Sequence, residues 1–163
     1  MRNTLIDYTV YMRQLATEHR HIHHTADEPH FFRGELQEFF EGLRSHVEFP
    51  CLIAEGSEVG YSGTKQNITK RRTTSFIVAD SFEDVGDFAE MEERMSGCEL
   101  IAEEILGRML SDSNKPFHTV DVESVEGQYL ANEAQRYVGY RVNLTTVEPG
   151  VCVYNREVWD EES

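Results

Sequence analysis

The sequence predicts an α+β fold, with helices packed on one face of a mainly antiparallel sheet of four to five strands. Three stretches carry that expectation. Between residues 84 and 111, Val85, Phe88, Met95, Cys98, Ile101 or Ala102, Ile105 and Met109 recur at the spacing of one helical face. In YVGYRVNLTTV, Val138, Tyr140, Val142 and Leu144 alternate with Gly139, Arg141, Asn143 and Thr145, the period of a strand with one buried face. TTSFIVAD, residues 73–80, concentrates the β-branched and aromatic side chains that suit a pleated surface. Helix 84–111 is therefore expected to cover Val138, Tyr140, Val142 and Leu144 in a central or near-central strand.

The remaining elements follow in chain order. Leu5, Tyr8, Met12, Leu15 and Ala16 predict an amphipathic first helix over about residues 3–20. Asp27 and Pro29 interrupt it, and GELQEFFEGLR predicts a second helix with Leu36, Phe39, Phe40 and Leu43 on one face. VEFPCLIAE, residues 47–55, reads as a strand whose first half Pro50 demotes to an edge or bulge. Glycines 56, 60 and 63 read as an irregular connection. Ser81 is the expected N-cap of helix 84–111. After SDSNKP, HTVDVESV and then residues 137–147 read as strands, Pro149-Gly150 as a turn and VCVY as a short returning strand. The whole reads as one domain: N-terminal helices over about 3–44, sheet and central helix over about 47–155, and an acidic tail over 157–163. Trp159 is either a core anchor or an exposed aromatic contact.

At 163 residues such a chain can bury a core without staples. Charged residues at 28% and aromatics at 10% place it among globular rather than disordered sequences. Asp7 and Arg13 break up MRNTLIDYTVYMRQ, so no ordinary signal peptide is expected, and no apolar run approaches the length of a membrane span. Cys51, Cys98 and Cys152, odd in number and far apart, read as reduced core thiols of a protein made in the cytoplasm. The sequons at Asn67 and Asn143 then read as chance matches.

Lys65, Lys70, Arg71 and Arg72 form a basic tract in a chain of formal net charge −15. With 30 acidic against 15 basic residues, the chain as a whole repels phosphate, which argues against a nucleic-acid binder. The natural partner of a lone basic patch is an acidic patch on another protein, including another copy of the same chain. Helix 84–111 offers one: nine carboxylates between residues 83 and 104, Glu90, Glu92 and Glu93 among them, with Arg94 as the only base. Lys65, Lys70, Arg71, Arg72, Glu90, Glu92 and Glu93 are accordingly the candidate interface residues.

Two stretches invite a chemical reading. In EHRHIHHTADEPH, His19 and His23 stand one helical turn apart, with His21, His24, His30, Asp27 and Glu28 nearby, a spacing that a transition metal can use. The preferred reading is a solvated helix end, because neither HExxH nor a paired-cysteine motif is present. EVGYSGTK matches neither the nucleophile elbow nor the phosphate-binding loop and reads as a flexible surface loop. No catalytic residue, metal site or cofactor is expected. Two alternatives remain beside an assembly role: a small metal-dependent enzyme using the histidine cluster of residues 19–30, and an acidic adaptor or inhibitor protein.

The order of elements, an N-terminal helix, two strands joined through a polar and basic stretch, a central amphipathic helix and closing strands, resembles that of the tail terminator and tail completion proteins of tailed bacteriophages. The resemblance implies a virion protein without catalysis that forms a closed ring, commonly a hexamer, at the head-proximal end of the tail. It implies the tail tube protein and the head-tail connector proteins as partners, a passing contact with genomic DNA if the basic tract lines the lumen, and no membrane.

Overall fold

The computed structural model describes residues 4–39, 41, 46–112, 119–152 and 156–158. Its strands are β1 (Phe31–Arg33), β2 (Cys51–Thr64), β3 (Asn67–Ser81), β4 (Val120–Asn132) and β5 (Tyr137–Pro149), joined in one sheet in the order β1-β2-β3-β5-β4. The short β1 runs parallel to β2, and the other three pairings are antiparallel. The helices are α1 (Leu5–Glu18), α2 (Leu36–Glu38) and α3 (Phe88–Ser111), and a 3₁₀ turn spans Arg156–Val158. This is an α+β architecture on a mainly antiparallel sheet. None of the helices is long and apolar enough to cross a membrane, among the described residues.

Local chemistry fixes the ends of the helices. Thr4 caps α1 in a reciprocal box: its Oγ1 accepts from the Asp7 N–H at 3.4 Å, and the Asp7 carboxylate accepts from the Thr4 N–H at 2.7 Å. That bond holds the Asp7 carboxyl below its ordinary pKa. Helix α3 is capped by Asp87, which accepts from the Glu90 N–H at 3.0 Å, and not by Ser81. The reason is that β3 runs on through Ser81, so the residue expected to open the helix closes a strand instead. Val85 and Phe88 consequently lie outside the apolar stripe and are exposed.

The even-numbered positions of the sheet meet the two long helices. Leu52, Ala54, Phe76, Val78, Val142 and Leu144 pack with Tyr8, Met12 and Leu15 of α1 and Cys98, Ala102, Ile105 and Met109 of α3. Val138 is buried with Met91, and Tyr140 packs at the edge of the main core, so β5 lies under α3 as its alternation predicts. The second face is covered at one end: Cys51, Ile53, Ile77 and Ala79 are buried with Phe39, against Phe32, Leu36, Val47 and Phe49. The stretch containing α2 thus closes the face opposite the long helices. Of the helix expected over residues 34–44, α2 is the described α-helical part; Phe40 and Leu43 lie outside the described residues, as do Trp159 and all of the acidic tail beyond Val158.

Four further expectations are corrected. Residues 47–50 are not strand: β2 begins at Cys51, directly after Pro50, which lacks an N–H for a ladder. Residues 56–63 are no irregular connection. After a bulge between Ala54 and Ser57, β2 continues to Thr64 and turns through Lys65 and Gln66 into β3. Gly63 permits this close turn, since its φ is +106° and a Cβ there would collide with the Asn67 carbonyl oxygen. Finally, Cys51 and Cys98 are buried, but Cys152 is exposed and no core thiol; of VCVY, Val151 and Cys152 are in no strand, and the rest lies outside the described residues.

Candidate assembly surface

Beyond the bulge, β2 and β3 form a hairpin arm whose β2 side chains are largely exposed, Val59 retaining 39% and Tyr61 60% of its surface, while β3 stays laddered to β5 from Thr69 on. The basic tract belongs to this arm and not to a loop. Lys65 sits in the turn, while Lys70, Arg71 and Arg72 are consecutive residues of β3. Alternation sends their side chains to opposite faces. On the helix side Lys70 Nζ lies 2.8 Å from Glu148, its direct partner across to β5. On the other side Arg71 reaches over β5 to Asp121 of β4, at 2.9 Å.

Arg72 differs from its neighbours. It is 3% exposed, donates to Ser57 Oγ at 3.1 Å, and lies near Asp7 and Tyr8 of α1. Burial pushes the Tyr8 phenol up to about 12, so Tyr8 stays neutral beside it. The expectation that all four cations are available to a neighbour is therefore corrected. Arg72 is part of the fold, Lys70 and Arg71 are paired within the chain, and Lys65 has no ion pair among the described residues.

The acidic residues lie elsewhere. Glu92 and Glu93 are exposed on α3, whereas Glu90 is 3.8 Å from Arg94, which also holds Asp80 at 3.2 Å. Asp80 stands near the C-terminal end of β3 and Lys65 precedes its N-terminal end, about 40 Å apart at the usual strand rise. One copy therefore presents its basic tip and the start of its acidic helix at opposite ends.

The histidines are drawn into local bonds. His19 Nε2 lies 2.8 Å from Glu104 while its Nδ1 accepts from the His21 N–H. His24 Nδ1 accepts from the His30 N–H at 3.1 Å, and His30 Nδ1–H donates to the Pro50 carbonyl at 2.8 Å. Burial, with Arg13 and His30 nearby, holds the His24 imidazole below its ordinary pKa. Among the described residues no three His, Cys, Asp or Glu side chains converge as metal ligands.

One polar cluster has no counterpart in the sequence reading. Glu55, 6% exposed, takes a bidentate pair from Arg141 at 2.8 and 2.9 Å and a further bond from Ser75 Oγ. It floors a cleft of about 600 Å³ between the α2 stretch, with Glu35 and Glu41, and the β4-β5 turn, with Asn132, Gln135 and Tyr137. Arg141 is read in sequence as one of the outward residues of an alternating strand; that its own face is buried at this point has no local signal.

These features define an α+β protein whose β2 strand is left uncovered on its outer edge beyond the bulge, among the described residues. No family model matches the chain, and no curated protein matches it.

Proposed function

We propose that this chain is a non-enzymatic assembly protein that associates with itself into a ring, as a tail terminator does at the head-proximal end of a phage tail, and so joins tail to head. The reading rests on the arm. A hairpin of this length fixes the backbone of many residues, each costing about 1–2 kcal/mol. Val59 and Tyr61 return little burial for that cost in one copy. A partner surface that covers the arm offsets it. The tail tube protein and the connector are the expected further partners, and Lys65 at the tip is the cation best placed for a tube subunit or for passing DNA.

Native mass spectrometry of the untagged chain over a range of concentrations is the direct test. The expected result is one closed oligomer, with a hexamer favoured by the resemblance, that captures purified tail tube subunits. A monomer at every concentration that leaves tube subunits uncaptured would overturn this reading. A monomer that binds a basic protein through Glu92 and Glu93 would favour the acidic adaptor instead.

A further inference from the structure

We propose that the outer edge of β2 over residues 57–63 pairs with the β4 edge, residues 126–132, of a second copy, so that neighbouring copies share one antiparallel sheet. The inference rests on the self-association reading and names its interface. β1 covers β2 only at Leu52, Ile53 and Ala54, and the Gly56 N–H is taken by Glu35 at 3.2 Å. Beyond that point β3 is the only strand beside β2 among the described residues.

The turn tells which groups face outward. Lys65 and Gln66 form a two-residue connection, and Thr64 and Asn67 are the pair that closes it. In such hairpins the closing pair exchanges its hydrogen bonds, and pairs alternate from there. Thr64, Ser62, Gly60 and Glu58 therefore ladder to β3, while the N–H and C=O of Gly63, Tyr61, Val59 and Ser57 point away from it. An edge of this kind is a template for another strand unless it is guarded by charge, proline or a bulge. Residues 57–63 hold no proline and Glu58 as their only charge.

Charge and geometry select the occupant. Lys70, Arg71 and Arg72 are held within the chain, and Lys65 at the tip has no ion pair among the described residues; the regular edge of β4 over residues 126–132 carries Glu126 as its only charge. These signs are complementary across a copy-to-copy contact. β4 breaks register between Asp121 and Glu126, so its regular edge is residues 126–132, seven residues, the length of the free β2 edge. Three successive antiparallel pairings make β4 run opposite to β2. A copy rotated about an axis along the strands then brings its β4 antiparallel to the first copy's β2. The outward groups of Gly63, Tyr61 and Val59 then meet those of Gly127, Tyr129 and Ala131, Thr64 lies opposite Glu126, and Lys65 follows it at the turn. The two edges are offset along the sheet, which strand tilt in a closed ring accommodates.

The test uses the full chain and native mass spectrometry beside circular dichroism. Val59→Pro and Tyr61→Pro each remove an outward N–H and spare the β3 ladder. Each is expected to leave the wild-type spectrum and to weaken assembly at least tenfold. Lys65→Glu and Glu126→Lys are each expected to weaken assembly severalfold, and the two together in one chain to restore it. That charge pair decides the matter even if a proline variant fails to fold. A wild type that assembles, with the charge variants assembling as well as it does and showing no mutual rescue, overturns the shared sheet while leaving self-association intact. A wild type that is monomeric throughout removes both.

Discussion

Leu52, Ile53 and Ala54 face Val78, Ile77 and Phe76 across the β2-β3 ladder, and all six are fully buried. A few residues further along the same two strands, Val59 and Tyr61 face Arg72 and Lys70 with much of their apolar surface in solvent. The backbone pairing continues across both halves with one bulge between them. What changes is the covering: α1, α3 and the α2 stretch close the first half on both faces and leave the arm. Ladder hydrogen bonds largely exchange with water and set register. Buried area, at about 25 cal/mol per Å², separates a half that stabilises the chain from a half that adds little to its stability.

The strongest way to break this comparison is to truncate the body. Phe76→Ala should cost about 3–5 kcal/mol in denaturant unfolding, the usual range for emptying a buried aromatic site. A loss below about 1 kcal/mol would mean that the two halves do not differ as described. Arg141→Ala should come next. Removing one partner of a fully buried pair costs about 3–5 kcal/mol. Arg141 keeps a quarter of its side chain exposed, so about 2–3 kcal/mol is expected here, read from the same unfolding curves.

The arm should answer differently. Tyr61→Ser is expected to change monomer stability by no more than about 0.5 kcal/mol. Amide exchange over residues 57–63 should be far faster than over β3 from Phe76 to Ala79, because the arm opens without the body. Equal protection of the two stretches in a monomeric sample would sink the distinction.

A smaller effect sharpens the margin of the body. The folded His24 is held below its unfolded pKa of about 6.5, so the unfolded chain binds more protons in that window. Its contribution is complete above about pH 6.5 and is lost as the pH falls below that value. His24→Gln should therefore narrow the drop in melting temperature between pH 7.5 and 5.5. An unchanged drop would show that the imidazole is not held as its bond with the His30 N–H implies.

What could be read in advance was whatever repeats within a few residues. The α3 stripe from Met95 to Met109 and the alternation of β5 are local periodicities, and both elements formed where they were expected. The arm was hidden because Gly56, Gly60 and Gly63 imitate a loop and remove the side chains that would have shown alternation. β1 was missed because three residues, FFR, become a strand only through a parallel neighbour that lies about twenty positions on. The basic tract was legible as a cluster, but its partners within the chain were not. Arg71 finds Asp121 fifty positions away, and Glu55 finds Arg141 across 86, pairings that only the folded sheet creates.

The cysteines give the molecule its own set of clocks. Cys51 lies in the layer beneath the α2 stretch and Cys98 in the layer between α3 and the sheet. Burial pushes both thiols up, Cys98 to about 12, and a thiol is alkylated through its thiolate. Each is therefore silent at neutral pH until its own layer parts, while Cys152 on the surface is open to reagent from the start. The order in which Cys51 and Cys98 take up iodoacetamide reports which side of the sheet peels first, with no label added to the chain.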